Sequence, residues 1–595
     1  VREPARRIAP QVLHPRLSSA TRHALLLGTA LASTLLIAAV AAPAPASAQV
    51  TCPPGTFPPP GPITLNPAGD SVDCVNVYDR NNAGAPVIDL VTNGAGEFIS
   101  LNNSGDLTSP DDRGIRAYSQ GANSPVDVSN TGDIDSYRTG IYAKTQFGAL
   151  DVFNAGDITT EYRGIQAATG TGGGPNSPLT LTNTGDIDLN RGTAIGADTY
   201  QAQSELTLVN TGALTGAEYG IIARTFADDS PLNVTNSGDI RTFDDPSNSR
   251  AIGITTYVGG EDSPTTITNS GIIRAISAYD AYGITAESGD PNSPITIHNS
   301  GNIHALGAGT DGYSYGIRAV TYDDGSPISI VNSADLRVVQ SGPGGYAYGI
   351  SAATYDVGSS VSIRNTANIN VTGRYLAVGI DAYSSNEPIT IVNAGSVYAK
   401  GPNSIGIYAS SGSKTTITNT GEIGASSNFA IAVTDGAVDI FNAGTITGFV
   451  LLDANDTFVN QAGGVFEARQ TSDFDFYGPG GTDLFRNEAG AAVHATGDVA
   501  FANLERFENR GLISMVDGQA GDEFVIFNTY GGSDLTFAAS GDSTLAVDAF
   551  LGGPGNSDSD RFGIDGDVSG RTKVVSTTAI TDPACSTRKG SRSWR

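Results

Sequence analysis

Histidine, methionine, tryptophan and cysteine are nearly missing from this chain of 595 residues, which holds five, one, one and three of them. His14 and His23 fall in the N-terminal segment, and His298, His304 and His494 have no nucleophile motif beside them, so the usual general base of hydrolytic chemistry has no evident setting. Gly541-Asp542-Ser543 resembles part of a serine-protease signature but lacks the following Gly and sits in a turn-rich stretch. Asp and Glu are everywhere, so no carboxylate pair stands out. No catalytic residue, metal ligand set or cofactor site is singled out, and the chain reads as a non-enzyme. Basic residues are short too: 33 Lys and Arg against 61 Asp and Glu leave a formal charge of −28, which argues against nucleic acid as a partner. Charged residues make up only 16%, and no amphipathic helical segment of normal length interrupts the pattern from Leu101 to Val459. With 74 Gly as well, the chain is neither helical nor disordered.

What is present is a phrase that returns: an apolar strand, Asn, a small residue, usually Gly, then an apolar residue one further on. It reads PITIHNSGNI at Pro294–Ile303, PLNVTNSGDI at Pro231–Ile240 and PLTLTNTGDI at Pro178–Ile187. From Asn103 to Asn460 the Asn recurs with a period of about 27, the mark of a repeat architecture. Period-2 alternation puts Ile295, Ile297, Asn299, Gly301 and Ile303 on one inward face. A buried amide is costly unless its partners are met, and repetition supplies them. Asn183, Asn210, Asn236, Asn269, Asn299, Asn332, Asn365, Asn393 and Asn419 are expected to stack in a hydrogen-bonded ladder, with the Gly two residues on allowing the turn. A second phrase, GIRAVTY at Gly316–Tyr322 and GISAATY at Gly349–Tyr355, adds strands between the Asn motifs. Three short strands per unit of about 27 residues predict an all-β, right-handed parallel β-helix. At about 4.8 Å per rung it would form a rod on the order of 70–90 Å.

In chain order, residues 1–48 read as a targeting segment: Arg2, Arg6, Arg7, Arg16 and Arg22, an apolar run Ala24–Ala42, and cleavage after Ala46-Ser47-Ala48. An uncleaved anchor is the alternative for that run, and Val1 leaves the start codon open. Residues 49–100 form a Pro-rich lead and N-terminal cap. Cys52 and Cys74, in an exported chain with no His or third Cys nearby, are expected to form a disulfide worth roughly 3 kcal/mol. The repeats run over 101–460. Acidic or Gly-rich turns precede the strands at Gly170–Pro178, Ala227–Pro231, Gly259–Pro264 and Asp323–Pro327. Stacked, they make an acidic ridge that either binds calcium or is a solvated set of turns, and no strict nonapeptide calcium repeat appears. Longer insertions at Arg274–Tyr282, His304–Tyr315, Arg337–Tyr348 and Val371–Val378 read as loops and as the recognition surface. An outward aromatic column, Tyr200, Phe226, Tyr257, Tyr322 and Tyr355, could stack on sugar rings or on another molecule, or simply cover strand flanks.

After Val459 the rhythm changes. FRNEAG at Phe485–Gly490 and FENRGLI at Phe507–Ile513 keep the Asn turn, followed by SMVDGQAGDEFV at Ser514–Val525 and DRFGIDGDVSGRTKVV ending at Val575. Behind a β-helix and a targeting segment, this combination resembles the passenger of a monomeric type V autotransporter. The resemblance implies a β-rich, autochaperone-like cap over 461–576, surface display or adhesion, and a C-terminal outer-membrane barrel. Alternating ten-residue strands for such a barrel do not follow Val575, so the chain reads as a truncated passenger tied to the outer membrane only through a missing barrel. The tail 577–595 carries Trp594, Cys585 and four basic residues, and reads as aberrant, out of frame with a continuing passenger sequence. Expected partners are a host-cell, matrix or polysaccharide surface, or another copy of itself in a biofilm. An extracellular β-helix enzyme acting on polysaccharide is the rival reading.

Overall fold

The computed structural model describes residues 49–52, 61–67, 69–170, 176–216, 218–244, 250–453, 455–476, 481–529, 535–552 and 557–578. The targeting segment 1–48 and the tail beyond 578, with Cys585 and Trp594, lie outside the described residues. Every regular element among the described residues is a β-strand. A central rung consists of a first strand Ile295–Asn299, a second strand Ile303–Gly307 and a third strand Tyr313–Thr321. Each pairs in parallel with its own kind one rung on: Ile295 faces Ile328, Ile303 faces Leu336 and Ile317 faces Ile350. The fold is therefore a parallel β-helix. Ile295, Ile297, Asn299 and Ile303 are buried, while Thr296 and His298 turn outward. Each inward aliphatic contributes about 1.5–3 kcal/mol when fully covered, and only the neighbouring rungs can cover it.

Burying an amide in that stack works because every rung supplies the same one. Asn299 Nδ2 donates to Asn332 Oδ1 at 2.8 Å and receives a bond of the same length from Asn269. Its neighbours use the second amide hydrogen on the carbonyl two residues along, as Asn269 does on Gly271 at 2.9 Å. The ladder reaches from Asn76 to Asn509. Its ends are closed by different groups: Arg80 Nε donates to Asn76 Oδ1 at 2.5 Å, and Asn509 Nδ2 donates to Ser543 Oγ at 2.8 Å. All the amides point one way, so each bond polarises the next. A buried cation at the acceptor end fits that polarity.

Glycine at the Asn corner has a different cause from the one expected. Gly301 does not adopt a positive φ. A Cβ there would sit 2.0 Å from the Gly271 carbonyl oxygen, so the residue is small because adjacent corners stack closely. Ala334 and Ala367 hold the equivalent place in two rungs, so the corner can shift to take a methyl. The Gly of the second phrase also faces a close wall: at Gly283 a Cβ would lie 2.3 Å from Ile303 Cγ2.

The stack also begins earlier than the repeat phrase suggests. Gln49–Thr51 pairs with Ser71–Asp73 and Ile63–Leu65 with Ile88–Leu90, so the lead is built of rungs. The Asn phrase hides this because Tyr78 stands where Gly follows the later Asn residues, and Val77 where they have a small residue. Cys52 and Cys74 are joined by a disulfide, with Cα atoms 4.6 Å apart, tying the first strand to the second rung. The Cys52→Ser/Cys74→Ser double variant is expected to lose about 3 kcal/mol, read as faster amide exchange over residues 49–103, with exchange beyond 300 unchanged.

Past residue 420 the second and third strands merge, as in the 13-residue strand Glu422–Thr434, and the interior changes from aliphatic to aromatic. Phe458, Phe485, Phe507 and Phe537 stack at 4.9, 5.0 and 5.4 Å, with Phe466, Phe501 and Phe524 packed beside them. Parallel pairing continues across position 460 without a break. The strand Thr544–Phe550 then makes an antiparallel pair with Asp558–Ser559. Phe485→Ala is expected to cost about 4 kcal/mol, seen as proteolytic cleavage confined to residues beyond 450.

Candidate recognition face

The aromatic column sits at the end of the third strands, one residue beyond the last inward Thr. Thr199 pairs with Thr225, which places Tyr200 beside Phe226, their rings stacked at 4.8 Å. Thr321 pairs with Thr354, and Tyr322 stacks on Tyr355 at 5.6 Å. Tyr257 departs from this register. It pairs with Arg224, and the place after Phe226 is taken by Gly259. The ring still joins the column at 5.8 Å from Phe226 because Gly259 and Gly289 carry no side chain; a Cβ on Gly259 would meet it at 2.9 Å. Tyr383 extends the far end, 5.2 Å from Tyr355. Tyr200, Tyr257, Tyr322 and Tyr355 are all exposed.

The longer insertions are not loops. They lengthen second and third strands, giving Ile273–Ser277, Asp280–Ser288, Tyr346–Thr354 and Leu376–Ser384 with short connections between them. The reason is pairing: each lengthened third strand, nine residues long, sits beside another of the same length and propagates the sheet. They carry a second set of rings. Tyr315 stacks on Tyr348 at 5.0 Å and lies 5.4 Å from Tyr282, while Tyr313 stacks on Tyr346 at 5.0 Å. The signal was in the sequence as a recurring Tyr-x-Tyr-Gly-Ile, at Tyr313–Ile317 and Tyr346–Ile350.

Between the two ring columns run polar side chains. Arg318 pairs with Glu287 from the rung before, and Ser351 Oγ donates to Asp381 Oδ2 at 3.0 Å. Burial among the tyrosines pushes the Asp381 carboxyl up to about 6, against the Ser351 bond. The face thus offers flat rings, hydroxyls and a carboxyl that gives up its charge easily, a combination suited to sugars.

The turns read as an acidic ridge are governed first by backbone. Asn123, Gln203, Asp229, Asp262 and Asn292 take positive φ of 52–58°, a region Asn and Asp tolerate. The Ser that follows each is buried and forms its own ladder: Ser263 N donates to Ser293 Oγ at 3.0 Å, and Ser293 N to Ser326 Oγ at 2.9 Å. The remaining carboxylates do crowd: burial, then Asp290 and Asp356, raise the Asp323 carboxyl.

Among the described residues, the acidic groups close enough to share a cation are Asp475, Asp483 and Glu505, buried with donor atoms within 4.8 Å. They lie outside the predicted turns. Asp483 and Glu505 hold the corner that serine holds earlier, since Val438 N donates to Asp456, Asp456 N to Asp483 and Asp483 N to Glu505 at 2.6–2.8 Å. Burial raises the Asp456 carboxyl to about 7 and that of Asp483 further still.

At the Asn corner a third, exposed column accepts backbone bonds. Asp106, Asp133 and Asp157 each take the N–H of the next rung at 2.9–3.0 Å. It explains the Asp of the Gly-Asp-Ile ending, which the inward-outward count passes over.

No protein-family model, curated protein or solved structure matches the chain.

Proposed function

We propose that this chain is a displayed adhesive rod, in the manner of a type V autotransporter passenger. Its interior ladders hold the backbone, and its outward columns bind a matrix or polysaccharide surface. The observation that carries the reading is the rank of exposed, mutually stacked tyrosines on one strand set, Tyr322 on Tyr355 above all. Rings stacked face to face along an axis have little left to lose in conformational freedom when a ligand packs against their exposed edges. Exposed apolar surface of this kind is retained where something binds it. The proposal assigns no catalytic step to the face.

The test coats beads with the full chain and measures adhesion to matrix and polysaccharide surfaces. Tyr322→Ala/Tyr355→Ala should lower apparent affinity roughly tenfold, since aromatic contacts are worth about 0.5–1.5 kcal/mol each. Unchanged adhesion by this variant, with its fold intact, would remove the reading.

A further inference from the structure

On a chain of net charge −28, three arginines and a histidine line up on adjacent rungs of the described residues. Outward positions of the second strands pair in register: Arg241 with Arg274, Arg274 with His304, His304 with Arg337. The three arginines are exposed and His304 half-buried. Elsewhere arginines on this surface meet carboxylates from an adjacent rung, as Arg116 does with Asp89 and Arg224 with Asp198. Among the described residues Arg241, Arg274 and Arg337 have no such partner, and Arg241 has the Phe243 ring 4.8 Å away. The nearest acidic column is engaged with backbone: Asp239 accepts Ile272 N at 3.0 Å and Asp335 accepts Asn368 N at 3.1 Å. On the other flank runs a half-buried apolar row, Phe243, Ile276, Leu306 and Val339, also in register.

We propose that this row binds a single extended anionic polysaccharide, sulfated or uronate-bearing, lying along the rod axis. Arg241 and Arg274, one rung apart, oppose one another, and burial together with the flanking Arg274 and Arg337 lowers the His304 pKa; a ligand supplying anions to the arginines offsets that cost. Guanidinium forks match sulfate and carboxylate oxygens in pairs. At about 4.8 Å per rung, Arg241 to Arg337 spans about 14 Å, so the ligand must run parallel to the rod. The row is one residue wide and bordered by Asp239 and Asp335. A bilayer or a nucleic-acid duplex would press its phosphates against those carboxylates as well; a single glycan chain would not. Sugar C–H faces would lie on the apolar row, whereas single-stranded nucleic acid needs rings for its bases and finds only Phe243. With a screening length of about 8 Å at physiological salt, the remote acidic surface does not cancel the row.

The inference deepens the adhesion reading and rests on it for its biological setting, but the test is independent of adhesion. The full chain is titrated with heparin, hyaluronan, neutral dextran and duplex DNA at 0.05, 0.15 and 0.5 M NaCl. Binding to heparin or hyaluronan that weakens with salt is expected, with none to dextran. Arg241→Gln/Arg274→Gln/Arg337→Gln should lose at least tenfold in affinity. Arg116→Gln/Arg191→Gln/Arg224→Gln, which changes net charge equally but removes paired arginines, should bind as the parent does. Equal losses in both variants, tighter binding to DNA than to either glycan, or no glycan binding at 0.05 M salt would overturn the proposal. If beads adhere while the first triple variant adheres equally and glycans fail to bind, adhesion stands and this row is not its site. If glycans bind through the row while coated beads do not adhere, the reverse holds.

Discussion

Asn299→Leu is expected to lower the local stability of the central rungs by about 4 kcal/mol, although leucine is close to asparagine in size and far more apolar. The loss comes from the partners left behind. One of the two Asn269 Nδ2 hydrogens would have no acceptor and Asn332 Oδ1 no donor, and each buried orphan costs about 1–3 kcal/mol. Asn299→Asp should do at least as much harm, because a carboxylate accepts from Asn269 but cannot donate to Asn332. Native-state amide exchange over residues 265–335 reads the change locally, which matters in a stack whose rungs can open separately. A loss under about 1 kcal/mol would mean that the ladder adds little beyond the aliphatic core.

The C-terminal rungs should be more stable in mild acid than in mild base. Asp456 is raised to about 7 and Asp483 is raised further, in both cases chiefly by burial, whereas an unfolded chain titrates both near about 4. Between those values the folded state holds protons that the unfolded state has lost, so folding becomes less favourable as pH rises. The stabilisation is complete below about pH 4 and is lost progressively above it, up to about 7 for Asp456 and higher for Asp483. Asp483→Asn keeps an oxygen for the Asp456 N–H and removes the charge. It should raise the melting temperature at pH 8.5 by several degrees and flatten the pH slope, while changing little at pH 5. A parent melting curve unchanged from pH 5 to 9 would contradict this.

Much of the fold could be read from the chain because the β-helix repeats its local rules. Inward parity at Pro294–Ile303 placed Asn299 with the isoleucines, and the structure finds it hydrogen-bonded above and below. The errors have physical causes. Gly301 serves close stacking between rungs, which a single rung does not reveal. Tyr257 falls one residue short of the other rings because register follows the inward Ile254, which pairs with Ile221 and sets Tyr257 against Arg224. Insertions such as Arg337–Tyr348 look like loops because their extra residues break the period, yet the third strands they lengthen pair in adjacent rungs, Tyr346–Thr354 with Leu376–Ser384. The cationic row was hardest to see. Arg241, Arg274 and Arg337 are separated by 33 to 63 positions, and only stacking makes them neighbours.

The central claim is that the ladders form a fixed scaffold and recognition belongs to the outward columns. Hydroxyl-radical footprinting of the full chain, free and bound to the polysaccharide surface to which it adheres, tests this most directly. The account predicts protection at Tyr313, Tyr322, Tyr346 and Tyr355, with Tyr78, exposed at the N-terminal end of the stack, oxidised as in the free chain. Protection at Tyr78 with none at Tyr322 and Tyr355 would contradict it.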